Sequence, residues 1–149
     1  MDMTIAISPI AELSPAAIQP LLDASLAEGM RLVQRLADEY ASGANRFDQP
    51  GEALLGAYVG GRLVGVGGVN LDPYARDPRV ARLRHLYVLP AWRRQGVGRQ
   101  LVEALVAAAA PHFATLRLRT TNPAADRFYR GLGFDGIAGD AEATHQIAL

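Results

Sequence analysis

Arg93-Arg94-Gln95-Gly96-Val97-Gly98-Arg99 is the stretch that decides how this chain reads. It follows the strand-like run Leu83-Arg84-His85-Leu86-Tyr87-Val88-Leu89. It opens an apolar helix that carries Leu101, Val102, Leu105 and Val106. A strand, a basic glycine-rich turn and a helix in that order suit an anion. Glycines let backbone N–H groups approach it without interference from a Cβ. The helix start adds unpaired donors and a favourable dipole. The arginines add forked, permanently charged donors. The segment reads as a pyrophosphate cradle.

Two common phosphate sites are excluded. A Walker-type loop needs a lysine after its second glycine, and all 15 basic residues of the chain are arginine. The same absence removes a Schiff-base nucleophile. A dinucleotide fingerprint needs a third glycine or an alanine, but Gly96-Val97-Gly98-Arg99-Gln100-Leu101 ends in leucine. Gly65-Val66-Gly67-Gly68 lies inside a strand pattern, where glycines mark a bulge or close backbone packing.

The remaining pattern, Arg-x-x-Gly-x-Gly from Arg93 to Gly98, resembles the acyl-coenzyme A loop of the GNAT family of N-acetyltransferases. His85 to Trp92 is similar to that family's central strand. Asn122-Pro123-Ala124-Ala125-Asp126-Arg127-Phe128-Tyr129-Arg130-Gly131-Leu132-Gly133-Phe134 resembles its second cofactor motif. The resemblance is strong from about Leu54 to Phe134 and weak before that. It implies a single GNAT domain over residues 1–149, of α/β class. Its sheet would be mixed and mostly antiparallel, with a splayed central strand and helices on both faces. It also implies acetyl transfer from acetyl-coenzyme A to an amine, directly and without a covalent enzyme intermediate. A non-catalytic module of the same fold that senses acyl-coenzyme A is the alternative.

The resemblance carries roles to particular residues. Leu86, Tyr87 and Val88 would run beside the cofactor, the backbone of Leu86 and Val88 bonding the pantetheine amides. Arg93, Arg94, Gln95, Gly96, Val97, Gly98 and Arg99 would hold the pyrophosphate. Asn122 and Tyr129 complete the cofactor set. Tyr129 is also the position of the acid for the departing thiolate. A hydrogen bond that strengthens as charge builds on sulfur would suffice there. Many relatives carry a glutamate on the central strand as base. Arg82, Leu83 and Arg84 stand in that place here, so the base is open among His85, His145 and water. His85 shares a strand face with Tyr87, and the ordinary histidine range suits proton transfer. His145 is a second candidate, lining the acceptor pocket.

Composition narrows the field further. A length of 149 residues suits one domain with a real core. With no cysteine there is no disulfide, thiolate metal site or cysteine nucleophile. His85, His112 and His145 show no ligand spacing, so no metal is expected. Met1 to Thr4 shows no signal-peptide pattern and no apolar run reaches membrane-spanning length, so a cytoplasmic enzyme without membrane partners is expected. Net charge is zero, yet residues 76 to 99 hold seven arginines and one acid, +6 against −6 for the rest. The acidic remainder and the absence of a basic tail argue against nucleic acid. The acceptor, a small-molecule amine or a protein amine, is not named by any motif, and a homodimer is left open. Asp38, Glu39 and Asp48 are candidates to attract a cationic amine, while Arg82 and Arg84 hint at an acidic or neutral one.

Local patterns predict the elements. A strand is expected over Met3–Ile7, and a helix capped by Ser14 with Pro15 at its first position runs to about Ala27. A second helix is expected over Met30–Ala41. Strands Leu54–Val59 and Leu63–Val69 flank the turn pair Gly60-Gly61. The central strand begins at Val80 or Arg82, and a long helix covers Val97–Ala110. A strand follows over Thr115–Thr121, then a helix Pro123–Leu132 capped by Asn122. Strands Phe134–Ala138 and Ala143–Leu149 close the chain.

Overall fold

The computed structural model describes residues 4–149. Strand β1 (Ala6–Pro9) leads into helices α1 (Pro15–Ala27) and α2 (Leu32–Ser42). Strands β2 (Ala53–Val59), β3 (Arg62–Leu71) and β4 (Val80–Val88) follow. A short 3-10 turn, Pro90–Trp92, precedes α3 (Val97–Ala109). Then come β5 (Thr115–Leu118), α4 (Pro123–Gly131), β6 (Asp135–Gly136) and β7 (His145–Ala148). The order of elements is the expected one. Met3, placed in the first strand by its pattern, lies outside the described residues.

Local chemistry accounts for most boundaries. Ser14 Oγ accepts from the Ala17 N–H at the start of α1, and Asn122 Oδ1 accepts from the Ala124 N–H at 2.8 Å at the start of α4. Gly43 ends α2 in the left-handed region. Gly60 and Gly61 both have positive φ, which makes the two-residue β2–β3 turn. The expected strand to Thr121 stops at Leu118, because the Thr120 N–H leaves the ladder for Thr144 Oγ1 at 2.9 Å.

The strands form one sheet in the order β1-β2-β3-β4-β5-β7-β6. All its pairings are antiparallel except β4 with β5. That parallel pairing covers only Val80–Arg82 against Thr115–Arg117. Beyond Arg82 the two strands part, and the edge of β4 over Leu83–Val88 has no strand partner on that side among the described residues. This is the splay that the resemblance implied.

The sheet is covered on both faces. A Cβ on Gly65 would meet Val97 and Leu101 of α3 at 3.1 and 3.2 Å, and one on Gly67 would meet Leu105 at 3.0 Å. Gly68 faces the other way, where a Cβ would lie 2.5 Å from the Phe47 ring. The glycine run thus allows α3 and Phe47 to press on opposite faces of β3. Opposite it, β4 takes three steps from Arg84 to Tyr87 while β3 takes two from Gly68 to Val66. The extra residue is a bulge, with His85 at φ +59.

Candidate active site

The splay opens a cleft of about 1300 Å³ between β4 and the β5–α4 segment. One end is the start of α3. Gly96 is its N-cap at φ +85 and offers no side-chain cap. The first backbone bond back into the helix is Gln100 N–H to Gly96 O, so the N–H groups of Val97, Gly98 and Arg99 are left for a ligand. Arg94 and Arg99 are exposed beside them, and Arg94 also holds a positive φ of 61°. Val97 itself is core. Gln95 is turned back, its Nε2 donating to Ala91 O at 3.1 Å. Gly98 permits a close approach of α4, since a Cβ there would lie 3.3 Å from the Phe128 ring.

The middle of the cleft is β4. Leu86 lies toward α3, its Cδ1 3.1 Å from where a Gly67 Cβ would be. Val88 reaches Gly98 from the same side. Tyr87 is buried on the opposite face. The far wall is α4. Asn122 lines the cleft while its side chain caps that helix. Tyr129 is 7% exposed, set among the rings of Phe128, Phe134 and His145. Burial alone raises its phenol above the ordinary range, so it stays protonated. Tyr129 lines the cleft, and among the described residues no protein group hydrogen-bonds its Oη.

Arg93 does not face the helix start. Its guanidinium donates to both carboxylate oxygens of Glu28, at 2.7 and 2.8 Å, and its Nε donates to Val88 O at 3.1 Å. Tyr87 Oη donates to the same carboxylate at 2.5 Å. The Arg93 hydrogen bonds, then the one from Tyr87, hold Glu28 below the usual carboxylate range. Burial first, then Glu28, pushes the Tyr87 phenol up to about 12. The sequence gives no local signal for Glu28, which stands just after α1, far from Arg93 along the chain.

His85 is brought to the cleft but not as a ready base. Its side chain is 5% exposed and packs edge-on to Phe47. Burial, then the charges of Arg84 and Arg35, pushes it down to about 4, so it is neutral at neutral pH. Its Nε2 stands 3.6 Å from Glu39 Oε2, both atoms buried and neither hydrogen-bonded. His145 does not line the main cleft. It is buried beside a second depression, its Nε2 2.7 Å from Asp126 and its Nδ1 2.8 Å from Thr144 Oγ1. A further ion cluster was not legible either. Buried Asp72 takes the N–H groups of Tyr74 and Ala75 and stands 3.5 and 3.3 Å from Arg82 and Arg117.

This geometry agrees with what comparison shows. Residues 19–134 match the acetyltransferase (GNAT) family. The chain belongs to that family. It is 35% identical over 89 residues to the N-alpha-acetyltransferase RimI of Mycobacterium tuberculosis, a match over 59% of this chain and 55% of that one. The chain thus spans about half the length of that curated relative. An acetyltransferase candidate from Exiguobacterium sp. 255-15 superposes with a TM-score of 0.87 at 30% identity, over 98% of this chain and 94% of that one. The PaiA N-acetyltransferase of Thermoplasma acidophilum, solved in complex with coenzyme A, shares the fold. Its TM-score is 0.68 at 18% identity, over 99% of this chain and 100% of that one. Among the described residues of this GNAT protein no group of His, Cys, Asp or Glu is arranged to hold a metal ion. No helix among them is long and apolar enough to cross a membrane.

Proposed function

We propose that this GNAT protein transfers an acetyl group from acetyl-coenzyme A to an amine by direct attack. The carrying observation is the cleft along the unpartnered edge of β4, with free N–H donors at one end and Tyr129 on its wall. The donor supplies an activated thioester. The chain supplies three things. The N–H groups of Val97, Gly98 and Arg99, with Arg94 and Arg99, suit a pyrophosphate. The exposed backbone edge at Leu86 and Val88 suits the amides of an extended arm. Tyr129 Oη, protonated and without a protein partner, is free to donate to the sulfur.

In the transfer the amine lone pair attacks the thioester carbonyl carbon. A C–N bond forms and the C–S bond breaks. The departing thiolate is stabilised by a hydrogen bond from Tyr129 Oη, which keeps its proton, and is protonated from water, while the amine gives its own proton to water. The cleft-facing part of β4 offers no carboxylate to receive it, and His85 is buried and weakly basic. The acceptor is an amine, and the likeness to RimI favours a peptide N-terminus among amines. The test is thiol release from acetyl-coenzyme A across a panel of amines and peptides, with the acetylated product read by mass spectrometry. Release that depends on an amine supports the reading. Tight donor binding with no turnover on any amine points instead to a sensing module.

A further inference from the structure

Among the described residues, eight arginines line the main cleft against a single acid, Glu142. Three of them are already committed. Arg82 is with Asp72, Arg84 with Glu39 and Arg93 with Glu28. Arg94 and Arg99 flank the start of α3, and Arg127 stands on α4. Arg35 and Arg119 are different. They line the cleft away from that start, both are exposed, and neither has an ion pair among the described residues.

Register and charge place these two. The parallel pairing sets Arg82 opposite Arg117. Two residues on along each chain, past the end of that pairing, come Arg84 and Arg119, and both line the cleft. Arg117 and Arg82 share Asp72, so both lie on the α1–α2 face of the sheet, and strand alternation keeps Arg84 there. Arg35, on α2, is near enough to His85 to act on it alongside Arg84. Arg35 of α2, Arg84 of β4 and Arg119 just past β5 therefore line the same cleft. A bare ammonium entering here is repelled. A carboxylate on the same molecule offsets that repulsion and matches the arginine fork.

We propose that the acceptor is an amine carrying a carboxylate close to it, held by Arg35 and Arg119. An acidic amino acid and a peptide N-terminus followed by acidic side chains both present that chemistry. The assignment rests on the acetyl-transfer reading of the same cleft. It adds a second effect of the arginines, since positive charge around the bound ammonium favours its neutral, nucleophilic form.

The test compares kcat/KM for glutamate and a tetrapeptide beginning Ala-Asp-Glu with that for spermidine and a tetrapeptide beginning Ala-Lys-Lys. The protein is used whole, with acetyl-coenzyme A binding measured in parallel by calorimetry. The expected result is a preference of tenfold or more for a carboxylate-bearing acceptor. In Arg35→Gln and Arg119→Gln, two exposed sites whose loss leaves the fold intact by melting, that preference falls roughly three- to fivefold each. The KM for acetyl-coenzyme A does not move. The free amino acid and the peptide tell the two sources apart. A preference for the cationic acceptors overturns the proposal. So does a preference that survives both substitutions, or variants that raise the KM for acetyl-coenzyme A instead. Donor binding without acetylation of either acidic probe also overturns it, leaving the donor site standing. No donor binding at all fails the reading beneath it.

Discussion

The two faces of β4 are built by different means. Toward α3 and α4, the side proposed for the donor is mostly backbone: a glycine N-cap, three unpaired N–H groups and a strand edge left open by the splay. Its parts lie in one continuous stretch, Leu83 to Arg99. Toward α1 and α2, the other side is made of side chains that meet from afar. Glu28 reaches Arg93 and Tyr87, Glu39 reaches Arg84 and His85, and Asp72 reaches Arg82 and Arg117. A site of backbone geometry depends on glycines and is broken by adding atoms. A site of charged side chains depends on pairing and is tuned by removing charge.

Gly96→Asp breaks the donor side most severely. The position has open space, with only Gln100 Nε2 at 3.9 Å, so a side chain fits. Its φ of +85° strains any other residue by about 1 kcal/mol. An aspartate there would cap the N–H groups proposed to hold phosphate and repel the anion. Calorimetry should show coenzyme A affinity lower by on the order of a hundredfold or more, in a protein that still melts cooperatively. Gly96→Ala carries the strain without the charge and should lose far less. Unchanged affinity in a folded Gly96→Asp would falsify the cradle.

Tyr129→Phe removes one hydroxyl that no protein group holds. Stability should therefore be unchanged, which is unusual for a buried tyrosine. Turnover should fall by on the order of a hundredfold, the usual loss of one donor to a developing charge, while coenzyme A affinity holds. Retained turnover on a confirmed acceptor would make Tyr129 a packing residue. Lost stability would show that the hydroxyl has a partner in the folded protein.

The same contrast explains what could be read from sequence. The glycine-capped turn into α3 was legible because glycine spacing, a strand and a helix start are all local. So were the caps at Ser14 and Asn122 and the turn at Gly60-Gly61. The bulge was half legible. Gly65, Gly67 and Gly68 marked it, but the residue that moves is His85 on the partner strand. Glu28 was not legible at all. Nothing in Leu26-Ala27-Glu28-Gly29 distinguishes it from any helix-end acid until α1 is folded against β4. Reading Arg93 as a phosphate ligand followed from its motif position. Its pairing with Glu28 appears only in three dimensions. His145 was expected at the acceptor pocket because it lies on the last strand, and only the fold turns it toward Asp126.

Acid should expose the buried side. His85 sits between Glu39 and Arg35 of α2, Arg84 of its own strand and the Phe47 ring. Its folded pKa of about 4 lies below the ordinary 6.5. The unfolded chain then binds the proton more readily. Stability is complete above pH 6.5 and is lost as pH falls toward 4. Between pH 6.5 and 5 this is worth about 2 kcal/mol at most. In His85→Asn, which tolerates the positive φ, that part of the slope should vanish from urea titrations run at both pH values. The pH–rate profile of the wild type should show no break near pH 6.5. A wild-type stability curve flat from pH 7 to 5 would mean that Glu39 closes on a protonated His85.

The smallest effect tests whether the two sides are really separate, because Arg93 touches both. It belongs to the cradle motif, yet its fork is on Glu28 and its Nε on the Val88 carbonyl. Glu28→Gln keeps a hydrogen-bonding partner for Tyr87 and removes the charge that holds Arg93. The pair is part-exposed, so stability should change by less than about 1 kcal/mol. Freed of its carboxylate, Arg93 adds positive charge near the phosphates, and coenzyme A affinity should rise two- to fivefold at low salt. The gain should fade in concentrated salt. Arg93→Gln is the converse. If the guanidinium stays on Glu28 when the donor binds, the loss of affinity should be no more than threefold. A loss of thirtyfold or more would mean that Arg93 leaves Glu28 for the phosphates. Donor binding would then release the end of α1 from β4, and the two faces would be coupled through one arginine.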